Sequence, residues 1–156
     1  MNLIENNPLD IEKIATLLKD KNDLFLVWPD ARYPFDHRQW QDRFSQDRFN
    51  TGQGNLSFLI EENGKIIGHA ALFPVERAKV YRLAFLYLDP DYRSQGLGTK
   101  MISLLEQYTV KNLNAQKLTL QVRDYNVRAL KCYTKCGFKE YTRDDDLIKM
   151  EKYVGS

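Results

Sequence analysis

The sequence predicts an α/β domain in which strands and helices are interleaved along the chain rather than segregated into halves. Three observations carry that prediction. Asn63-Gly64 separates two β-rich runs, the apolar run Val80–Leu88 leads through a glycine-bearing loop into an amphipathic helix, and a strand, a helix and two further strands follow. With 156 residues the chain has the size of one domain, so residues 1–156 are expected to form a single unit whose core needs no metal or disulfide.

A short strand is expected around residues 2–4. Asn7-Pro8 then offers an N-cap and a proline at the first helical position, and Ile11, Ile14, Ala15 and Leu18 recur at helical spacing. Residues 24–49 are aromatic and irregular, with Phe25, Trp28, Tyr33 and Phe35 ahead of a helix that sets Trp40 and Phe44 one turn apart. Leu56–Glu62 and residues 65–73 pair as antiparallel strands, because Asn-Gly best satisfies the positive φ angles of a tight hairpin turn. Val80–Leu88 reads as a central strand closed by Asp89-Pro90, where proline withholds an amide from the ladder. Beyond it Leu97, Met101, Leu104, Leu105 and Tyr108 share one helical face, and Asn112 and Asn114 stand where that helix should stop. Residues 117–122 alternate as a strand, residues 127–136 form a helix with Gly137 as its C-cap, and residues 138–143 and Leu147–Tyr153 close the chain as strands.

Composition narrows the function classes. Hydrophobic residues at 43% and charged residues at 28% fit a folded, soluble chain. No apolar run approaches bilayer length, and the first residues lack the basic-then-apolar pattern of a signal peptide, so no membrane partner and a cytoplasmic location are the expectations. The 23 basic and 21 acidic side chains are spread along the chain, which leaves no field to draw it onto nucleic acid. Cys132 and Cys136 lie four apart on a helix with two histidines elsewhere, a pattern of buried thiols rather than of a metal site.

The chemistry concentrates after residue 80. In LYLDPDYRSQGLGTKMI a glycine-bearing loop joins a strand end to a helix start, where amides lack intrahelical partners and carry the positive end of the helix dipole. Gly96 and Gly98 would let an anion approach the backbone without a Cβ in the way, although two glycines at such a junction are also an ordinary packing solution. A dinucleotide fingerprint is absent, since Met101 stands where its third glycine would be.

Arg93-Ser94-Gln95-Gly96-Leu97-Gly98 resembles the acetyl-CoA signature R/Q-x-x-G-x-G/A of GNAT acetyltransferases, preceded as in that family by a hydrophobic strand and a proline. VRDYNVRALKCYTKCGF resembles the family's following motif at Asn126, Ala129, Tyr133, Gly137 and Phe138. The resemblance covers residues 80–138; before them only the order of elements agrees. It implies a mixed central sheet of about six to seven strands flanked by about four helices, splayed so that the pantetheine arm of acetyl-CoA lies between the strand before the glycine loop and the strand ending at Val122. The main chain of Leu86 and Leu88 would meet that arm, their side chains being core. The loop Arg93, Ser94, Gln95, Gly96, Leu97, Gly98 and Thr99 would hold the pyrophosphate, chiefly through its amides from Gln95 to Thr99. Asn126 would contact the arm or a nearby water, against its simpler reading as a helix N-cap.

Tyr133 matches the family's general acid, which protonates the departing sulfur, whereas a tyrosine on an amphipathic helix is ordinarily a core residue with a wet hydroxyl. Members that acetylate protein N-termini carry a glutamate base five residues before the motif's asparagine; here Gln121 stands there and cannot accept the proton. His69 and Glu76 are the alternatives, or no base at all. The acceptor pocket is expected from Trp28, Tyr33, Phe35 and Trp40 with the final hairpin. Asp144-Asp145-Asp146 is either an attractor for a cationic amine or a solvated turn. The resemblance thus implies transfer of acetyl from acetyl-CoA to a primary amine, small or on a protein, without metal, with a homodimer among the allowed states. The rivals are a catalytically silent acyl-CoA-binding module and a nucleotide-binding regulator.

Overall fold

The computed structural model describes residues 1–46, 49, 54–75 and 77–155. Strands β1 (Asn2–Glu5), β2 (Leu56–Glu62), β3 (Lys65–Pro74), β4 (Val80–Leu88), β5 (Lys117–Arg123), β6 (Lys139–Asp144) and β7 (Leu147–Tyr153) form one sheet in the order β1-β2-β3-β4-β5-β7-β6. Only β4 and β5 run parallel; the other pairings are antiparallel. The β2–β3 turn sits at Asn63 and Gly64, whose φ values of 51° and 81° are the ones the Asn-Gly pair predicts.

Five helices cover the sheet among the described residues: α1 (Ile11–Leu17), α2 (Lys21–Val27), α3 (His37–Ser45), α4 (Leu97–Leu113) and α5 (Val127–Lys135). The first three each begin at an aspartate whose carboxylate accepts a backbone amide three residues on: Asp10 from Lys13, Asp20 from Asp23 and Asp36 from Gln39. The first helix therefore starts at Asp10 rather than at Asn7-Pro8. Helix α2 is the element the sequence left unassigned, and it contains a single buried residue, Leu24, too little for an apolar period to show.

The sheet separates two cores. On one face Leu83, Leu118, Leu120 and Val122 pack with Met101, Ile102 and Leu105 of α4. On the other, Ala71, Phe73, Phe85 and Tyr87 pack with Ile14 of α1, Leu24 of α2 and Trp40 and Phe44 of α3. Strict alternation along β4 fails at one place, where Ala84 and Phe85 both join the second core. Ala71 pairs with Ala84 and His69 with Tyr87, so Ala70 faces two residues, and Phe85 takes a φ of 50°. This is a β-bulge.

A left-handed conformation at a residue with a Cβ costs roughly 1–3 kcal/mol and persists only where the surroundings enforce it. Here the Phe85 ring is boxed by Trp40, Trp28, Phe73 and Phe44, with centroids 4.8, 5.0, 5.3 and 6.1 Å away. Its carbonyl accepts a hydrogen bond from Nδ1 of the fully buried His69 at 3.0 Å. A carbonyl only accepts, so the imidazole proton is on Nδ1 and Nε2 accepts from the Ser57 hydroxyl at 2.8 Å. Asn6 in turn donates to Ser57 Oγ at 3.1 Å. Every polar atom of this buried chain has a partner, which makes it a rigid brace behind the bulge.

The bulge increases the local twist of β4, and its pairing with β5 is confined to residues 80–83 against 117–120. Past Leu83 and Leu120 the parallel strands part. The gap between residues 84–88 and 121–123 positions the site.

Candidate active site

A cleft of about 500 Å³ occupies that gap. Its walls are β4 from Arg82 to Leu88, β5 from Leu120 to Arg123, the start of α4 and one face of α5, with α2 and the residues after it closing the opposite side.

The loop after β4 is built to leave amides open. A single 3-10 turn, Pro90–Tyr92, is capped by Asp89, and Ser94 and Gly96 then take positive φ values of 62° and 78°. Gly96 is the N-cap of α4, a helix of 17 residues, and supplies no side chain to the first turn. Four amides at that start lack intrahelical acceptors and face the positive end of a long dipole, which suits phosphate. The two glycines serve different ends. A Cβ on Gly96 would meet nothing within 4 Å, so its need is conformational, whereas a Cβ on Gly98 would lie 3.2 Å from Cys132 Sγ. Gly98 thus lets α4 approach α5 and also borders the cleft.

Arg93 latches the loop to two other elements. Its Nε donates to the Leu88 carbonyl at 2.8 Å, an Nη lies 3.4 Å from Asp23 of α2, and the guanidinium sits 5.3 Å from the Tyr87 ring centroid. The Tyr87 hydroxyl donates to the same Asp23 carboxylate at 3.3 Å. Burial, then Asp23, push the Tyr87 phenol up to about 12, so it stays protonated. Arg128, in the first turn of α5, also lines the cleft, and burial followed by repulsion from Arg93 lowers its pKa. Two guanidiniums near one cleft mouth are relieved by a bound anion.

Asn126 caps α5, its Oδ1 accepting from the Ala129 amide at 3.4 Å, and also borders the cleft. Two turns along the same helix, the half-buried Tyr133 reaches the cleft from α5, its ring 6.4 Å from that of Phe138. Its hydroxyl has no hydrogen-bond partner among the described residues. Burial first, then Cys132 and Cys136, raise its pKa well above the ordinary phenol value. Cys132 lines the same wall, and burial, then Cys136, push its thiol up to about 11.

Of the residues singled out from sequence, Leu86, Leu88, Arg93, Ser94, Gly96, Gly98, Thr99, Asn126 and Tyr133 all border the cleft. The side chains of Gln95 and Leu97 do not: Gln95 Nε2 donates back to the Asp91 carbonyl at 3.0 Å, and Leu97 packs against the α4 core. Gln121 projects from β5 into the cleft as an exposed amide. His69 lies elsewhere, with both ring nitrogens engaged, and burial holds its pKa at about 4; it is a brace and not a base. Glu76 lies outside the described residues. Among the four aromatics expected at the acceptor pocket only Trp28 lines the cleft. Trp40 is fully buried, Phe35 stacks on it at 5.2 Å, and Tyr33 is exposed with its edge toward Phe25. The Asp144–146 triplet forms the β6–β7 turn, with Asp145 at a φ of 53°, Asp146 on Arg123 at 2.6 Å and Asp144 on Lys149 at 3.0 Å.

Sequence reasoning missed Asp23, Arg128 and the arginines Arg43 and Arg82 that also line the cleft. Arg128 had a signal, two residues after the motif's asparagine on the turn that faces the loop. The other three come from α2, α3 and the paired part of β4, which only the tertiary fold brings to the cleft.

Residues 17–138 match the acetyltransferase (GNAT) family. An uncharacterized N-acetyltransferase of Bacillus subtilis (strain 168), YhfO, is 27% identical over 146 residues, 91% of this chain and 92% of that protein. The ribosomal protein bS18-alanine N-acetyltransferase of Escherichia coli (strain K12) is 32% identical over 115 residues, 72% and 75% of the two chains. Among solved structures, spermidine N-acetyltransferase from Vibrio cholerae in complex with CoA and spermine has a TM-score of 0.78 at 18% identity, covering 98% of this chain and 95% of that one. The Campylobacter jejuni N-acetyltransferase PseH in complex with acetyl coenzyme A has a TM-score of 0.70 at 20% identity, covering 97% of each. The chain belongs to the GNAT acetyltransferase family and is an acetyl-CoA-dependent N-acetyltransferase that acts on an amine.

Proposed function

We propose that the β4–β5 cleft carries out this transfer by direct attack of a primary amine, with Tyr133 as general acid and no side chain acting as strong base. One observation carries the reading: a single cleft is bordered both by the uncapped start of α4 and by the hydroxyl of Tyr133, which has no partner among the described residues. The amides from Gln95 to Thr99, with Arg128 beside them, would hold the pyrophosphate. The main chain of Leu86 is the better placed partner for the pantetheine arm, because the Leu88 carbonyl already accepts from Arg93. Acetyl-CoA, when bound, supplies an activated thioester. Tyr133, kept neutral by burial, then hydrogen-bonds the departing sulfur and hands it a proton. A thiol held at about 11 makes Cys132 a poor nucleophile, which favours direct transfer over an acyl-enzyme.

The proton lost by the amine goes to water. Among the described residues, Gln121 cannot take it, His69 is outside the cleft, Asp23 is held by Arg93 and Tyr87, and Asp30 sits exposed at the rim. Gln121 also argues against a protein N-terminus as acceptor, despite the kinship with a bS18-alanine N-acetyltransferase. Without a base the protein must select neutral amine. The kcat/KM for the amine is therefore expected to climb through neutral pH toward the acceptor's own pKa, near ~10 for a lysine-like amine. A plateau set near pH 6 to 7, whatever the amine, would reveal a base in the protein and refute this part of the mechanism.

A further inference from the structure

Of the five helices among the described residues, α5 alone contains no Asp or Glu. Its charged residues are Arg128, Lys131 and Lys135, three and then four residues apart, so their side chains leave the helix along one strip. All three are exposed, and none forms an ion pair with a described residue. Like charges at these spacings repel, and Arg128 stands in the first turn, where a cation opposes the helix dipole. Carboxylates near the helix have other partners. Asp23, whose charge reaches Arg128, is held by Arg93 and Tyr87; Glu106, which borders a groove with Cys136, pairs with Lys152 at 2.8 Å; and Asp124 acts on Arg143. A solvated helix face usually mixes signs, whereas this strip suits an anion.

The strip runs beside the start of α4. Arg128 borders the cleft and feels the charge of Arg93 in the phosphate loop. One turn on, Cys132 stands level with the first turn of α4: a Cβ on Gly98 would lie 3.2 Å from its Sγ, and the Thr99 side chain hydrogen-bonds it. Lys131 precedes Cys132 in the chain, and Lys135 is close enough for its charge to act on the Cys132 thiol. Both lysines thus stand beside that first turn. Neither borders the cleft, whose lining from α5 is Arg128, Ala129, Cys132 and Tyr133. They are placed to meet whatever part of a ligand projects past the phosphate loop to the outside.

Acetyl-CoA carries, besides its pyrophosphate, a phosphate monoester on the 3′ oxygen of its ribose. Such a group bears nearly two negative charges at neutral pH and offers three acceptor oxygens. With the thioester at Tyr133 and the pyrophosphate at the start of α4, the nucleotide end is the part left outside the cleft. We infer that Lys131 and Lys135 bind this 3′-phosphate, so that the protein selects acetyl-CoA over the same donor without it. The inference rests on the placing of the pyrophosphate proposed above. It makes the two lysines binding residues for the donor that take no part in the transfer.

Acetyl-CoA and acetyl-3′-dephospho-CoA are identical from the thioester to the ribose, and titration calorimetry with both tests the assignment. Wild type is expected to bind acetyl-CoA roughly 10- to 100-fold more tightly, the range for charge-assisted hydrogen bonds. Lys131→Gln and Lys135→Gln should each reduce that ratio, and the double variant should bring it close to one. Acetyl-3′-dephospho-CoA, which does not reach the strip, should bind the double variant as it binds wild type, which also shows that α5 is intact. Added salt should shrink the wild-type ratio. Equal affinities in wild type, or a ratio that survives the double substitution, overturn this inference and leave the cleft reading standing. Acetylpantetheine, which lacks the pyrophosphate and the 3′-phosphate alike, separates the two: binding as tight as that of acetyl-CoA would overturn the phosphate site at α4 together with this inference.

Discussion

Tyr133→Phe is expected to lower kcat by ~10²-fold or more while changing the affinity for acetyl-CoA little. The substitution removes one oxygen and keeps the ring that packs near Phe138, so neither α5 nor the cleft wall should move. The hydroxyl makes no hydrogen bond within the described protein, so its loss leaves no buried partner unsatisfied there. Burial raises its pKa, and the proton is therefore in place throughout the working range. Its loss should appear in kcat, because the sulfur becomes strongly basic only as the C–S bond breaks. The rise of kcat/KM with pH should survive, since it belongs to the amine. Coenzyme A thiol release measures both, and full activity in the Phe variant would remove Tyr133 from the mechanism.

The second large effect concerns stability. His69 has a folded pKa of about 4 against an ordinary 6.5, because burial disfavours the imidazolium. As the pH falls below 6.5 the unfolded chain binds a proton that the folded chain refuses until near pH 4. The stabilisation is therefore complete above about pH 6.5 and is lost progressively down to about 4, at ~1.4 kcal/mol per pH unit, or about 3 kcal/mol in all. Carboxylates also contribute to acid unfolding, so the quantity to measure is a difference. Urea unfolding of wild type and His69→Gln at the two ends of that window should show wild type losing about 3 kcal/mol more. Parallel pH dependences would mean that His69 titrates normally in the fold and does not brace the bulge as described.

The brace and the bulge mark the boundary of what was legible in the sequence. Asn63-Gly64 announced its own turn, because the φ angles it adopts are intrinsic to the pair. The α4 face and the spacing from Asn126 to Tyr133 were legible for a similar reason, since seven residues on one helix return to nearly the same side. The bulge was not. Phe85 at a positive φ has no local signature, and what enforces it comes from Trp28, Trp40, Phe44, His69 and Phe73, scattered over three segments. Without the bulge there was no means of telling that Ala84 and Phe85 share a face, nor that His69 sits behind the strand instead of in the cleft.

Gly98 teaches the same lesson on a smaller scale. Its place in the motif is plain, but one constraint on it is not: Cys132 Sγ, 34 residues along the chain, lies 3.2 Å from where a Cβ would stand. Composition does not distinguish a ring that lines a cavity from one that fills a core, so the aromatics between residues 24 and 49 read alike in the sequence. Trp28 lines the cleft and Trp40 is buried beneath it, a difference set by the bulged strand on which both pack.

Direct passage of acetyl from coenzyme A to the amine within one cleft is the centre of this account, and initial rates over a grid of acetyl-CoA and amine concentrations test it most directly. Both substrates must occupy the β4–β5 gap together, so double-reciprocal plots should intersect, and mass spectrometry of protein mixed with acetyl-CoA alone should find no acetylated side chain on the path to product. Parallel lines, with an acetyl group on Cys132 that transfers to added amine and a Cys132→Ala variant that is inactive while still binding acetyl-CoA, would contradict it.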